Sequence, residues 1–141
     1  MRTMEKDEAI AFLSAGTRTG KLATTTHDGS PHVTPIWFVV DGNDLAFNTW
    51  HTGAKAKHLH RDPRAALVVD LQEPPYGYVL VRGAVSISTD LDEVRQFATL
   101  IGARYMGEDR AEEFGARNGV EGELLVRLHM DRIIGHADVS D

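Results

Sequence analysis

"GKLATTTHDGSPHVTPIWFVVDGNDLAFNTW" spans Gly20 to Trp50 and decides the fold. It contains three runs rich in β-branched and aromatic residues, and the turn sequences "DGS" and "DGND" separate them. This alternation predicts three antiparallel strands joined by two hairpins. We place the strands over "GKLATTTH", "PHVTPIWFVV" and "LAFNTW".

The sequence outside this stretch predicts four more strands and three or four helices. The strands are "RAALVVDL", "YVLVRGAVSIS", "ELLVRLHM" and "RIIGHA". The helices are Glu5–Ala15, Ala54–His60, a helix opened by a capping box of Asp90 and Glu93, and Asp109–Arg117. We therefore expect residues 1–141 to form one mainly β domain, with flanking helices and an antiparallel sheet closed into a barrel to remove free edges.

Composition excludes several classes of function. The 141 residues contain no cysteine, so disulfides, thiolate nucleophiles and Cys-ligated metals are excluded. The net charge of −6 argues against nucleic-acid binding, and the seven histidines show no HExxH spacing, so we expect no metal site. We expect a cytoplasmic protein without a membrane span, because no apolar run approaches about 20 residues.

The second strand has apolar residues on both faces. Alternation gives one face with Val33, Pro35, Trp37 and Val39, and another with Thr34, Ile36, Phe38 and Val40. One face must meet the core, and we expect the other to meet a partner subunit, a ligand or both. Pro35 has no N–H, which favours an edge or a bulge, although a guarded edge strand alone would also explain it.

Cations gather in "GAKAKHLHRDPR", which directly follows the third strand. Asn48 and Thr49 end that strand, and Lys55 and Lys57 follow at the start of a helix. Small donors, helix N–H groups and lysines together suit a phosphate. The alternative is a solvated helix face.

Three segments, "GKLATTTHDGSPHVTPIWFVVDGNDLAFNTW", "GAKAKHLHRDPRAALVVD" and "YGYVLVRGAVSI", resemble the pyridoxamine 5'-phosphate oxidase-like split β-barrel superfamily. The similarity is best over residues 8–90, and within the superfamily it is greatest to flavin/deazaflavin oxidoreductases. The subgroup it resembles contains actinobacterial enzymes that use the deazaflavin F420 in place of FMN.

The resemblance implies a homodimer with cofactor at the interface. It implies that the cofactor ring lies against Pro35, Ile36 and Trp37. It further implies that Asn48, Thr49, Lys55 and Lys57 hold the phosphate, and that Tyr76 reaches the other subunit's cofactor.

The reaction expected from the resemblance is hydride transfer from reduced F420 to a conjugated organic acceptor. No catalytic side chain is assigned. One alternative is an FMN-dependent oxidase or reductase of the same fold, and another is a flavin- or deazaflavin-binding protein without catalytic activity.

Overall fold

The computed structural model describes all 141 residues. The nine strands are β1 (Arg2–Thr3), β2 (Gly20–Thr25), β3 (Pro31–Ile36), β4 (Val39–Asp41), β5 (Asp44–Trp50), β6 (Arg64–Leu71), β7 (Gly77–Ser88), β8 (Glu123–His129) and β9 (Arg132–Ala137). The helices are α1 (Lys6–Ser14), α2 (Ala54–Arg61), α3 (Leu91–Met106) and α4 (Ala111–Asn118), with a 3-10 turn at Glu108–Arg110. No helix is both long enough and apolar enough to cross a membrane.

All strand pairings are antiparallel, and the strand order is β3-β2-β6-β7-β8-β5-β4. Strand β9 pairs with β7 and with the short β1. The two outer strands, β3 and β4, are consecutive in the chain, so the sheet curls round without pairing its two ends. This confirms the predicted antiparallel split barrel with flanking helices, but the expected closure that removes free edges is not seen, because β3 and β4 each keep one unpaired edge.

Strand β7 links the two halves of the barrel by changing partner at Gly83. It pairs with β9 through Arg82 and with β8 from Val85 onward. A Cβ at Gly83 would lie 1.9 Å from the carbonyl oxygen of His129. The first of the two residues between these pairings, Gly83, must therefore be a glycine, because the backbone of the β8–β9 turn passes directly over it.

The prediction of one continuous strand over residues 31–40 is wrong. Strand β3 ends at Ile36 and β4 begins at Val39, with Trp37 and Phe38 outside the ladder. The two faces are nevertheless assigned correctly, because Ile36 and Phe38 are buried while Val33 is 64% exposed.

The face that carries Val39 is covered from within the chain. Val39 packs on a small cluster that contains Val94 and Phe97 of α3, whereas Val40 packs on the main core. The second apolar face of β4 therefore meets α3, and only the Val33–Trp37 part of the stretch is left for a ligand or a partner.

The predicted helices agree with the structure to within a few residues. Asp90 caps α3 as expected, with its carboxylate accepting from the Glu93 N–H at 3.2 Å. Glu93 does not complete the capping box, because its carboxylate accepts from the Ser88 hydroxyl instead. Helix α3 lies beside β4, β5 and β8, and α4 packs against α3.

Candidate functional site

Side chains at the end of α3 bind the backbone at the break between β3 and β4. The Tyr105 hydroxyl accepts a hydrogen bond from the Phe38 N–H at 3.3 Å and donates to the Arg18 carbonyl at 3.0 Å. Arg104 donates to the Phe38 carbonyl at 2.7 Å and to the Leu13 carbonyl at 2.8 Å. Both backbone groups of Phe38 are thus satisfied by side chains, which explains why the strand ends here.

Trp37 is positioned by aromatic packing on one side. Its ring is stacked on Tyr105, with centroids 5.1 Å apart and planes 3° from parallel. Phe114 of α4 contacts it edge-on at 5.9 Å. Trp37 remains 36% exposed, so it presents an ordered apolar surface beside Pro35 on the free edge of the sheet.

A second group of residues lies where β5 leads into α2. The Thr49 side chain makes no hydrogen bond within the protein, and Asn48 Nδ2 donates only a long bond of 3.4 Å to the Leu124 carbonyl. Gly53 precedes the first turn of α2, which has no side-chain cap. The first N–H groups of α2, the Thr49 hydroxyl and the Asn48 amide therefore have hydrogen-bonding capacity to offer an anion.

These two groups meet in one cleft of about 430 Å³. Its wall contains six of the eight residues predicted from the sequence, namely Pro35, Ile36, Trp37, Asn48, Thr49 and Lys55. An apolar, aromatic wall at one end and a set of donors with a lysine at the other suit a planar ligand that carries an anionic group.

Two predicted residues lie outside this cleft. Lys57 is exposed on α2, two positions beyond Lys55, and does not line the cleft wall. Tyr76 is 42% exposed in the β6–β7 loop, where its backbone carbonyl accepts from the Val139 N–H at 3.3 Å. Tyr76 is expected to contact the cofactor of a second subunit. The structure describes a single chain, so this contact remains a prediction.

The cleft also contains four residues that the sequence did not indicate, which are Thr19, Ile101, Asn118 and Glu123. Ile101 and Asn118 come from α3 and α4, and Glu123 is the first residue of β8. Burial raises the pKa of Glu123 above its usual range. No local signal marks Glu123, because it reaches the cleft only through the pairing of β8 with β5, where it lies opposite Trp50.

The outer face of the sheet has an exposed apolar side chain and a shallow depression. Val33 projects from β3, and a shallow depression of about 670 Å³ follows across β2, β6 and β7. Its lining mixes small residues, namely Ala23, Ala66, Gly83 and Ala84, with four charged ones, namely Asp62, Arg64, Arg82 and Asp131. Exposed Val33 is therefore the apolar residue that this face offers to a protein–protein contact.

Comparison with known families identifies the class of protein. Residues 6–136 match the family model described as pyridoxamine 5'-phosphate oxidase. The chain therefore belongs to the pyridoxamine 5'-phosphate oxidase family, as the three resembling segments predicted.

Solved structures give the same fold. A conserved hypothetical protein from Mycobacterium tuberculosis matches with a TM-score of 0.84 and 23% identity, over 97% of this chain and 87% of that one. An F420 reductase matches with a TM-score of 0.68 and 26% identity, over 86% and 93% of the two chains. A FAD-binding protein from Mesorhizobium loti matches with a TM-score of 0.71 and 20% identity, over 95% of each chain.

Family and neighbours together support an oxidoreductase with a flavin-type cofactor. One of these neighbours is an F420 reductase and another is a FAD-binding protein.

Proposed function

We propose that this protein is an F420-dependent oxidoreductase that transfers hydride from the reduced deazaflavin to a conjugated organic acceptor. The observation that carries the proposal is the single cleft that joins Trp37 to Lys55. The resemblance of the sequence to the F420 subgroup and the structural match to an F420 reductase favour the deazaflavin over FMN or FAD.

The residues of the cleft fit such a cofactor. The Thr49 hydroxyl and the Asn48 amide have donors to spare, and Lys55 forms no ion pair with any carboxylate. A phosphate group of the cofactor would be bound by these three side chains and by the uncapped start of α2. At the other end, Pro35, Ile36 and Trp37 would support the ring.

The bound deazaflavin supplies a two-electron hydride donor, and the protein supplies position and a dry environment. Trp37 is fixed by its stack on Tyr105, so it gives a rigid wall against which a planar ring can be oriented. Ile101 of α3 adds apolar surface to the same cleft and reduces access of water.

The proposal includes a homodimer with the cofactor between the two chains. Val33 supports this arrangement, since it is an exposed apolar side chain on the edge strand, two residues from Pro35 of the cleft wall. In such a dimer, Tyr76 of one protomer would contact the cofactor of its partner, as the family resemblance implies.

A paired binding titration tests the choice of cofactor. Purified protein is titrated with F420 and with FMN at the same salt concentration, and binding is followed by quenching of cofactor fluorescence. F420 should bind at least about tenfold more tightly than FMN, which corresponds to about 1.4 kcal/mol. The complex should absorb near 420 nm, as deazaflavins do, and not near about 450 nm, as flavins do.

The leading alternative is an FMN- or FAD-dependent enzyme of the same fold, which the FAD-binding neighbour favours. Preferential binding of either flavin would establish it in place of the F420 proposal. If F420 binds but the reduced complex transfers hydride to none of a panel of quinones, tetrapyrroles and other conjugated acceptors, the protein is a deazaflavin-binding protein and not a reductase.

A further inference from the structure

The cleft contains very little charge for a site that binds an anion. Of the ten residues that line it, only Lys55 and Glu123 carry ionisable side chains. Lys57, the second lysine of the basic stretch, is exposed outside the cleft. The positive charge available inside is therefore that of a single lysine, and a carboxyl group shares the space with it.

Glu123 is not held by any partner within the chain. Its carboxyl group accepts no hydrogen bond, and no cation lies within 4 Å of it. The Glu123 N–H donates to the Val120 carbonyl at 3.0 Å, which fixes the backbone at the start of β8. Partial burial without a compensating charge raises the pKa of this carboxyl.

The surroundings of Glu123 add no second cation. On its other side Glu123 lines a separate cavity with His51 and Glu121. His51 Nδ1 lies 2.9 Å from the Gly122 carbonyl oxygen, which can only accept, so this nitrogen carries a proton, and His51 does not line the cleft. Across the strand pair, the residue opposite Glu123 is the uncharged Trp50.

An anion bound at Asn48, Thr49 and Lys55 must therefore share the cleft with Glu123. One negative charge is balanced by Lys55. A second negative charge has no partner there and is repelled by an ionised Glu123, because like charges interact strongly in a partly dry site. The site is thus matched to an anion with one charge.

We propose that Glu123 sets the charge of the anion that this cleft accepts, favouring a singly charged phosphodiester over a doubly charged phosphomonoester. The inference rests on the proposed function, since it concerns the phosphate of the cofactor. F420 carries its phosphate as a diester with one negative charge. FMN carries a monoester whose charge is about −1.5 to −2 at pH 7.

The test compares Glu123→Gln with the wild type, using FMN, F420 and the uncharged riboflavin as probes at pH 7.5. Removing the carboxylate should tighten FMN binding by about tenfold. F420 binding should tighten by only about threefold, because its singly charged diester feels about half the repulsion energy of a doubly charged monoester. Riboflavin binding should be the same in both proteins. The glutamate tail of F420 is present in both titrations, so the difference between variants isolates the charge at residue 123.

Glu121→Gln is the matched control. Glu121 precedes Glu123 by two residues and lines the neighbouring cavity, but it does not line the cleft. The variant removes the same charge from the same segment, so FMN binding should stay within about twofold of the wild type. Equal tightening in both variants would overturn the proposal, because it would show a general charge effect.

The pH dependence gives a second measurement. In the wild type, FMN affinity should fall as the pH rises and Glu123 ionises beside the monoester. In Glu123→Gln, only the ionisation of the FMN phosphate itself, with a pKa of about 6, should remain. Identical pH profiles would overturn the inference.

The outcomes separate the inference from the proposed function. If the wild type binds F420 and the ratio of FMN to F420 affinity is unchanged in Glu123→Gln, the function stands and the role of Glu123 is wrong. If the wild type prefers FMN, or binds neither cofactor, both are overturned. Far-ultraviolet circular dichroism and a thermal melt of each variant show that the comparison is made between folded proteins.

Discussion

The ring of Trp37 is stacked on the ring of Tyr105, with 5.1 Å between centroids and 3° between planes. The two residues come from the β3–β4 break and from the end of α3. The Tyr105 hydroxyl also bonds to the backbone of Phe38 and of Arg18. One side chain therefore sets both the end of the edge strand and the orientation of the tryptophan that lines the cleft.

The hydroxyl of Tyr105 should contribute measurably to stability. Tyr105→Phe keeps the stacked ring but leaves the Phe38 N–H without its partner. We expect a loss of about 1–3 kcal/mol in the free energy of unfolding, measured by urea denaturation. Tyr78→Phe is the control, since the Tyr78 hydroxyl makes no hydrogen bond, and it should change stability by less than about 0.5 kcal/mol. Equal losses in both variants would show that the hydrogen bond from the Phe38 N–H to the Tyr105 hydroxyl does not contribute to stability.

The two lysines at the start of α2 should behave differently. Lys55 lines the cleft, whereas Lys57 is exposed outside it. Lys55→Ala should weaken cofactor binding by about one to two powers of ten, because a charge-assisted hydrogen bond of about 1.5–3 kcal/mol is lost. Lys57→Ala should weaken binding by less than about threefold at 0.15 M salt, since its attraction is screened. Fluorescence titration measures both, and a larger effect at Lys57 would move the phosphate site outside the cleft.

Strand β7 should not tolerate a side chain at residue 83, where its pairing passes from β9 to β8. In Gly83→Ala the new methyl group would lie 1.9 Å from the His129 carbonyl oxygen, and a backbone atom cannot move aside cheaply. We expect a loss of about 3 kcal/mol or more in the free energy of unfolding. Ser86→Ala, at an exposed position of the same strand, should stay within about 0.5 kcal/mol of the wild type. A mild effect at Gly83 would mean that the β8–β9 turn can relax.

The contact between α2 and the hairpin of β2 and β3 should depend on pH through His58. Burial lowers the pKa of His58, and the nearby His32 ring and Arg61 guanidinium lower it further. His58 Nδ1 lies 2.9 Å from the Thr24 hydroxyl, and its ring lies 4.9 Å from that of His32. The folded protein therefore favours the neutral ring.

Because the pKa of His58 is lower in the folded than in the unfolded state, the unfolded chain binds more protons in mild acid. The stability from the neutral ring is present above the unfolded pKa of about 6.5, and it is lost as the pH falls through the folded value. His58→Asn should flatten the dependence of the unfolding free energy on pH below this point. His27→Asn, in an exposed turn, should leave the slope unchanged, and an unchanged slope in His58→Asn would contradict the assignment.

Local sequence patterns were sufficient to predict most of the strands and helices. The hairpin turns of "DGS" and "DGND" are closed by Gly29 and Gly42, both with positive φ, and these positions could be predicted because glycine marks them directly. The break after Ile36 could not be predicted in this way. It depends on Arg104 and Tyr105, which are more than 60 residues away in the sequence.

The same distinction applies to the cleft. Pro35, Trp37, Thr49 and Lys55 could be singled out by local patterns because they lie in consecutive elements of the chain, although β3 and β5 are not paired and meet only because the sheet curls round. Glu123 reaches the cleft through the pairing of β5 with β8, which are more than 70 residues apart. A single sequence gives no measure of that register, so the one carboxyl group of the site was missed.

A substitution at Val33 tests the expected homodimer. Val33 is 64% exposed on the free edge strand, beside Pro35 of the cleft wall. If two chains meet on this face, Val33→Lys buries an unpaired ammonium group at the contact. Sedimentation velocity should then show a dimer for the wild type and a monomer for the variant, with the dimer dissociation constant raised by at least about 100-fold.

Cofactor binding should fall together with dimerisation, because the proposed site includes Tyr76 of the partner protomer. Val33→Lys should therefore weaken F420 binding although Lys55 and Trp37 are untouched. Val120→Lys, at a position 41% exposed between α4 and β8, is the control and should remain a dimer with normal affinity. If the wild type is a monomer and still binds F420, one chain completes the site. The proposed role of Tyr76 in the partner's cleft would then be wrong.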